Sequence, residues 1–265
     1  MGNILRKFLT ALSFLTILPL PITFFRKDEE SKENIKKDFS QSSIFFPLVG
    51  IIIGVILFAL DQLLKFINLP SSLHAGIILT IWVSLSGGLH LEGFADMVDG
   101  FSGGKNKDDI IGIMKDGSVG AKGTLALILL ILLKYLLLFS LPDTAKRDAL
   151  LLAPMMGRWS MVLAGYQGKP ASTDNTLAQM FTLYLGRKEL FIATLFTAIL
   201  SYFIFSYHCI YLFLITCLVT ACLVAYSVRK IEGICGDVLG AINEINELIV
   251  MGTVLLTTLF QGTVL

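Results

Sequence analysis

The chain has 265 residues, of which 55% are hydrophobic and 15% are charged, and its formal net charge is +1. Soluble domains carry about 25% charged residues, so the composition excludes an ordinary soluble protein. Several nearly uncharged runs approach the roughly 20 residues that cross a bilayer as a helix. The sequence therefore predicts an all-α, polytopic integral membrane protein, and a charge so close to zero gives no reason to expect a nucleic acid partner.

The first apolar run covers residues 8–25, and its Pro19 and Pro21 predict a short or re-entrant helix. The mixed charges of residues 26–43 are typical of a solvated linker. About seven transmembrane helices are expected after it, over 44–67, 75–91, 124–141, 149–166, 189–206, 209–228 and 238–260. In the first of these, the spacing of Gly50 and Gly54 predicts a close helix contact. We expect residues 1–265 to form one membrane-embedded domain.

The positive charges are distributed unevenly between the loops. Fourteen Lys and Arg residues fall in four loops, 26–43, 100–123, 167–188 and 229–237, and two fall in the alternate loops 68–74, 142–148 and 207–208. Cytoplasmic loops of membrane proteins carry the excess of positive charge. The four basic loops are therefore expected on the cytoplasmic side of the plasma (inner) membrane.

Candidate functional residues are most concentrated in the segment 87–123, which reads GGLHLEGFADMVDGFSGGKNKDDIIGIMKDGSVGAKG. Glu92, Asp96 and Asp99 follow i, i+4, i+7 spacing, which places all three carboxylates within about 40° of one stripe on a helix. Like charges on one stripe repel, so the spacing favours a divalent cation between them. Oxygen ligands of this kind suit Mg²⁺ or Mn²⁺. The alternative is an acidic helix end followed by a solvated loop.

Glycines and lysines follow the acidic stripe. Gly103 and Gly104 lack a Cβ, so phosphate can approach the backbone there, and Lys115 and Lys122 supply positive charge. Acids for a metal, glycines for access and lysines for phosphate together indicate metal-assisted phosphoryl transfer. For Lys115, an ordinary solvated loop pair with Asp116 is the alternative.

A second acidic face opens the last span within GICGDVLGAINEINE. Asp237, Gly240, Glu244 and Glu247 share one helical face, and Asp237 fits an N-cap, where free N–H groups favour phosphate. Glutamates at the start of a membrane span are costly and usually functional. The alternative is a capped helix whose acids meet interfacial cations. We expect the catalytic loops at 87–123 and 229–247 to hold one or two cations between these faces.

Three further polar residues lie inside or beside spans. Arg158 is expected either to pair with one of these acids or to bind substrate phosphate, with snorkelling to the interface as the alternative. The role of Lys134 stays open. His90 lies almost opposite the Glu92 stripe and is expected to be a packed histidine, unless Gly87-Gly88 unwinds the turn. The four cysteines form no CxxC pair, so neither a zinc site nor a disulfide framework is expected.

Several motifs together resemble one family along essentially the whole chain: FLTALSFLTILPLP, FFPLVGIIIG, GGLHLEGFADMVDGFSGG, IMKDGSVGAKG, GRW and GDVLGAINEINE. The chain resembles the cobalamin synthases, adenosylcobinamide-GDP ribazoletransferases. Cys235 stands where that pattern has threonine, and Glu92 stands where it often has aspartate. The loop after Gln167 is less similar to the pattern.

The resemblance implies a reaction and a set of residues. A ribose hydroxyl of α-ribazole, or of its 5′-phosphate, attacks the cobinamide-side phosphorus of adenosylcobinamide-GDP, and GMP leaves; the family uses Mg²⁺. On this basis we expect Glu92, Asp96, Asp99 and Asp237 to bind metal, with Glu244 as the candidate base and Asp96 and Asp99 as catalytic residues. Substrate phosphate is expected at Lys115, Arg158, Gly103, Gly104 and Lys122.

Two other functions compete. A CDP-alcohol phosphotransferase also places glycine-spaced acids along membrane helices, but Asp99-Gly100 is followed here by Phe-Ser-Gly-Gly instead of the Ala-Arg of that signature. An ion-coupled transporter predicts acids near the bilayer midplane and an inverted repeat. The acids here lie at one leaflet edge, and no repeat is visible. The sequence leaves open the oligomeric state, the number of metal ions and the binding of the corrin ring.

Overall fold

The computed structural model describes residues 2–18, 32–171 and 177–262. These residues form an all-α fold, as predicted, and contain no β-strand. The helices are α1 (Gly2–Leu15), α2 (Lys32–Ser42), α3 (Phe46–Phe66), α4 (Ser71–Leu85), α5 (Leu89–Gly103), α6 (Lys107–Lys115), α7 (Ala121–Ser140), α8 (Asp143–Gln167), α9 (Leu177–Tyr184), α10 (Arg187–Phe205), α11 (Cys209–Ile231) and α12 (Gly236–Gly262).

Four described stretches are long and apolar enough to cross a membrane, and the bent pair α4–α5 makes a fifth if it counts as one span. The protein is therefore a polytopic membrane protein. The four are Lys37–Phe66, Ala121–Ser140, Arg187–Ile231 and Gly236–Phe260. The expected count of about seven is higher for two reasons. Arg187–Ile231 contains two of the expected spans, α10 and α11, while α8 is not among the stretches that qualify.

The predicted span 75–91 is broken before it reaches the acidic stripe. Gly87 and Gly88 have φ angles of +62° and +72°, which glycine adopts readily because it has no Cβ. The chain turns there by 86° between α4 and α5. The acidic residues consequently lie on a separate helix that runs across the direction of α4.

Helix α8 forms the centre of the bundle, and every residue from 152 to 165 is buried. It packs against α3 through two glycines. A Cβ on Gly50 would come within 2.6 Å of the Met155 Cα, and one on Gly54 within 2.8 Å of the Leu151 Cα. The close contact that the Gly50–Gly54 spacing predicted is confirmed, and its partner is α8.

In the N-terminal region the first helix is short, as predicted, but the linker that follows it differs from the prediction. Helix α1 has 14 residues and spans about 21 Å at 1.5 Å per residue, so it is too short for a hydrocarbon core of about 30 Å. Pro19 and Pro21 lie outside the described residues. The second half of the expected linker 26–43 is helical instead, since α2 covers it and buries Phe39.

Segments from the four basic loops contact one another at one end of the bundle. Lys107 Nζ lies 2.9 Å from Glu232 Oε2, and a parallel bridge joins Pro170 to Ile234. Ser40 Oγ donates a hydrogen bond of 3.2 Å to the Phe181 carbonyl oxygen. The four loops therefore share one end of the molecule, as the charge distribution predicted.

Candidate active site

The two acidic helices meet through glycines. A Cβ on Gly93 of α5 would come within 2.8 Å of the Asp237 Cα on α12, and one on Gly240 of α12 within 3.1 Å of the His90 carbonyl oxygen. Only a residue without a side chain fits at such a contact. The two carboxylate-bearing faces of the sequence therefore come together at the start of α12, as expected.

This contact brings several carboxylates into mutual range. Asp237 lies within electrostatic range of Asp96 and Glu92, and Asp96 lies within electrostatic range of Glu92 and Asp99. Glu92 is exposed, whereas the other three are half-buried. The result is a concentration of negative charge that attracts a cation.

Asp99 is engaged in a structural contact. Its carboxylate oxygens accept hydrogen bonds from the backbone N–H groups of Gly120 at 2.7 Å and Gly123 at 2.8 Å. These N–H groups belong to the start of α7, where no intrahelical acceptor exists for them. Asp99 thus caps α7 from a neighbouring helix. Helix capping was not among the roles predicted for Asp99, which were metal binding and catalysis.

No three His, Cys, Asp or Glu side chains of the described residues form a group that could enclose a metal ion. The four predicted ligands, Glu92, Asp96, Asp99 and Asp237, are near one another but do not form a closed cage. Mg²⁺ is usually held by one or two carboxylates together with substrate phosphates and water. The half-buried carboxylates of Asp96 and Asp237 suit that kind of binding.

A cavity of about 360 Å³ opens beside Asp237. Its walls are mainly apolar and come from both ends of the chain. The charged residues that line it are Asp237 and Lys115, of which Lys115 stands at the end of α6. The lining residues are Phe14, Phe39, Phe46, Leu89, His90, Ile111, Met114, Lys115, Met161, Ala171, Phe181, Cys235, Gly236, Asp237, Leu239 and Gly240.

His90 also lines the cavity, at the start of α5. Its side chain is 2% exposed, and neither ring nitrogen has a hydrogen-bond partner among the described residues. The prediction of a packed histidine is confirmed with respect to burial. An imidazole with two unpartnered nitrogens is unusual, because buried polar groups almost always have a partner.

Cys235 supports the conformation of Asp237. Burial, with a further contribution from the Asp237 charge, raises the pKa of the Cys235 thiol to about 12, so the sulfur stays protonated. Its Sγ lies 3.7 Å from Asp237 Oδ2 and donates to it. A threonine hydroxyl could make the same contact, which accounts for the substitution noted in the sequence. Asp237 itself is the second residue of α12, two positions after Cys235, the residue that precedes the helix, so its predicted place at the N-cap is wrong.

Glu244 and Glu247 lie deeper in α12 and pair with cations inside the bundle. Lys134 Nζ lies 2.5 Å from an oxygen of each glutamate, and the Arg158 guanidinium pairs with Glu247. Of the two roles considered for Arg158, the structure therefore shows ion pairing. Neither Arg158 nor Glu244 lines the cavity, so the predictions of phosphate binding and base catalysis at these residues find no geometric support there.

The loop glycines and Lys122 make structural contacts. A Cβ on Gly104 would come within 2.8 Å of the Ile110 Cα, and one on Gly103 within 3.2 Å of the Ile113 side chain. Lys122 Nζ donates to the Ser102 carbonyl oxygen at 2.8 Å. The glycines thus let α6 pack on α5, and of the predicted phosphate-binding residues only Lys115 lines the cavity.

The aromatic wall of the cavity was missed by the sequence analysis. Phe46 and Phe181 stack with centroids 5.4 Å apart, and Phe14 packs edge-on against Phe39 at 5.0 Å. Phe14 and Phe39 lie in the stretches interpreted as a short segment and a solvated linker. No periodicity links four residues so far apart in the chain; the run Phe45-Phe46-Pro47 was the only local signal.

Comparison with known proteins decides the family. A family model described as Cobalamin-5-phosphate synthase matches residues 7–255. The chain belongs to this family. A relative from Geotalea daltonii, named adenosylcobinamide-GDP ribazoletransferase, is 34% identical and covers 94% of this chain and 96% of its own length. Relatives of the same name from Clostridium botulinum (strain Okra / Type B1) and Caldanaerobacter subterraneus subsp. tengcongensis are 33% and 32% identical.

Membership of the cobalamin-5-phosphate synthase family makes the protein a transferase of cobalamin biosynthesis. The resemblance seen in the sequence is confirmed over nearly the whole chain. The family match argues against the two alternatives, a CDP-alcohol phosphotransferase and an ion-coupled transporter. No solved structure matches the protein. The candidate active site of this synthase is therefore the acidic contact between α5 and α12, together with the cavity beside it.

Proposed function

We propose that this chain joins adenosylcobinamide-GDP to α-ribazole, or to α-ribazole 5′-phosphate, at the junction of α5 and α12. The ribose hydroxyl oxygen forms a bond to the phosphorus on the cobinamide side. The bond from that phosphorus to the bridging oxygen breaks, and GMP leaves with the bridging oxygen. The hydroxyl proton passes to a carboxylate, and the product is adenosylcobalamin or its 5′-phosphate.

One observation carries this proposal: the glycine contact between α5 and α12 brings Asp96 into the electrostatic range of Asp237, which lines a cavity that Lys115 also lines. Carboxylates and a lysine at a concave, largely apolar pocket are the combination expected for binding and transferring a phosphoryl group. Lys115 supplies positive charge toward the diphosphate. The names of the relatives give the substrates, adenosylcobinamide-GDP and ribazole.

We propose Mg²⁺, with Mn²⁺ as a substitute, as the cofactor. Asp96 and Asp237 would hold it together with the diphosphate, because the carboxylates repel one another and the described residues offer no cage of protein ligands without substrate oxygens. When bound, the ion would offset the negative charge that develops on the departing GMP.

Asp96 is the carboxylate best placed to accept the hydroxyl proton. Asp99 is bonded to the α7 backbone and Glu244 to Lys134, whereas Asp96 accepts no hydrogen bond from any described residue. Asp96 is half-buried and lies on the face of α5 that meets Asp237. An acceptor without competing donors can take a proton as the hydroxyl attacks.

We place the reaction on the cytoplasmic side of the plasma membrane. The four basic loops that gather at the cavity end carry fourteen of the chain's 21 lysines and arginines. Positive charge is retained on the cytoplasmic side during insertion. GMP would accordingly be released into the cytoplasm.

The test uses purified protein in detergent or vesicles with adenosylcobinamide-GDP, α-ribazole and Mg²⁺, and measures GMP release. Asp96→Asn and Asp237→Asn should each reduce the rate at least about a hundredfold, since base catalysis alone contributes roughly 10²–10⁴. Asp108→Asn is the matched control, because Asp108 is an exposed acid of α6 at the same end. Near-normal rates in both variants would contradict the proposed site.

A further inference from the structure

We propose that the aromatic cavity is the binding site for the flat base of ribazole, with His90 as the donor that recognises its unsubstituted ring nitrogen. This inference rests on the proposed function and adds the place of one substrate. Ribazole is the ribonucleoside of dimethylbenzimidazole, a planar base with an apolar edge and one nitrogen acceptor.

The size and lining of the cavity fit such a base. Its volume of about 360 Å³ lies near the lower end of the range of roughly 300–1,000 Å³ for pockets that hold drug-sized ligands. The corrin ring with its side chains is much larger than such a ligand. Of the planar groups on the two substrates, the ribazole base, the guanine of the nucleotide and the adenine of the adenosyl group are small enough to enter.

The chemistry of the walls separates the ribazole base from the two purines. Guanine and adenine each present several donors and acceptors along their edges, and burying these groups unpaired against apolar side chains is costly. Dimethylbenzimidazole presents two methyl groups and C–H bonds there. The ring pairs Phe46–Phe181 and Phe14–Phe39 offer aromatic surfaces on which a planar base can pack. Met114 and Met161, which also line the cavity, adapt their shape to a ligand more readily than branched side chains.

His90 supplies the polar contact. It lines the cavity, it is 2% exposed, and both ring nitrogens lack a partner among the described residues. A neutral imidazole carries one N–H donor, and the unsubstituted nitrogen of benzimidazole is an acceptor. A bound base would thus satisfy a group that is otherwise buried without a hydrogen bond.

The location also agrees with the reaction. The same cavity is lined by Asp237, whose carboxylate lies in the electrostatic range of Asp96. With the base inside the cavity, the attached ribose must remain at its mouth, since the sugar is polar and the interior is apolar. Its hydroxyls would then face the carboxylates and Lys115.

The first test measures equilibrium binding of two nucleosides to the full-length protein in detergent, without adenosylcobinamide-GDP. One is α-ribazole, and the other is its dimethylindole analogue, in which C–H replaces the unsubstituted nitrogen. The wild type should bind ribazole about three- to tenfold more tightly, the value of one buried hydrogen bond. His90→Phe, which keeps a ring but has no donor, should bind both nucleosides equally. Equal affinities in the wild type, or discrimination that persists in His90→Phe, would overturn the proposal.

The second test examines the walls during turnover. Phe46→Leu and Phe181→Leu should raise the KM for α-ribazole about tenfold, as loss of aromatic packing predicts, and leave the KM for adenosylcobinamide-GDP unchanged. Phe191→Leu is the control, since Phe191 is 66% exposed on α10 and does not line the cavity. If the wild type releases no GMP, the proposed function has failed; if it releases GMP but neither KM nor nucleoside discrimination responds, only the base site is wrong.

Discussion

Four buried charges in the middle of the bundle balance one another. Lys134 and Arg158 supply two positive charges, Glu244 and Glu247 two negative ones, and Asn243 donates to both glutamates. Lys134 also lies 5.1 Å from the Trp82 ring centroid. Burying an unpaired charge at this depth would cost too much free energy, whereas a network with no net charge whose members are hydrogen-bonded is tolerated. The network ties α7, α8 and α12 together.

At the residue scale, the sequence identified most of these groups but not their partners. The spacing of Asp237, Glu244 and Glu247 correctly placed them on one helical face. It could not show that the first lines a cavity while the others meet Lys134 and Arg158, because the partner of a buried acid is set by helices distant in the sequence. Pairing between Arg158 and an acid was predictable, since an arginine inside a span requires one.

Asp99 provides a test of capping against metal binding. Asp99→Ala removes the acceptor for the Gly120 and Gly123 N–H groups and should reduce the free energy of unfolding by about 1–2 kcal/mol, as for a lost helix cap. Asp99→Asn keeps an acceptor oxygen and should lose less. The measurement is thermal unfolding in detergent, with Asp108→Ala as control. Under the capping role, the Mg²⁺ dependence of GMP release by Asp99→Asn stays that of the wild type, and a large increase in the Mg²⁺ required would restore Asp99 to the metal site.

At the element scale, hydropathy predicted where the long helices lie. It did not predict the break between α4 and α5 or the short helices. Five of the seven expected spans correspond to helices with ends within three residues, whereas 75–91 is broken at Gly87-Gly88 and the helix over 149–166 begins six residues earlier, at Asp143. The turn at Gly87-Gly88 was foreseen only as an exception, because two adjacent glycines permit left-handed φ angles but do not require them. Helices α6 and α9 fell in predicted loops, since nine and eight residues give too few turns for a clear apolar period.

The contact between α5 and α12 can be tested through Gly93. In Gly93→Ala the new Cβ would lie 2.8 Å from the Asp237 Cα and 3.1 Å from its carbonyl oxygen, so the helices must separate. We expect a loss of about 1–3 kcal/mol in stability from overpacking and at least a tenfold lower rate of GMP release. Gly252→Ala is the control, because Gly252 lies on α12 and a Cβ added there has no heavy atom of a neighbouring group within 4 Å. This variant should keep the stability and the activity of the wild type. A fully active Gly93→Ala protein would show that close approach of the two acidic helices is unnecessary for catalysis.

At the scale of the whole molecule, the cavity depends on packing between the two halves of the chain. Phe14 and Phe39 come from α1 and α2, Phe181 from α9, and Asp237 from α12. The helices that carry the first three are too short or too polar to be read as spans, yet they cover the cavity end of the bundle. The sequence predicted which loops share that end from their charge, but it could not predict that aromatic residues of α1, α2 and α9 form one wall.

The orientation of the molecule in the membrane can be measured with single cysteines in a variant that lacks Cys209, Cys217, Cys222 and Cys235. Lys105→Cys probes the cavity end, and Ser72→Cys the opposite end; both positions are exposed. A membrane-impermeant maleimide should label Ser72→Cys in intact cells but Lys105→Cys only after permeabilisation, because the basic loops are expected to stay in the cytoplasm. Labelling of Lys105→Cys alone in intact cells would place the carboxylates and the cavity outside. In that case a nucleotide substrate supplied from the cytoplasm could not reach Asp96 and Asp237, and the proposed orientation would be wrong.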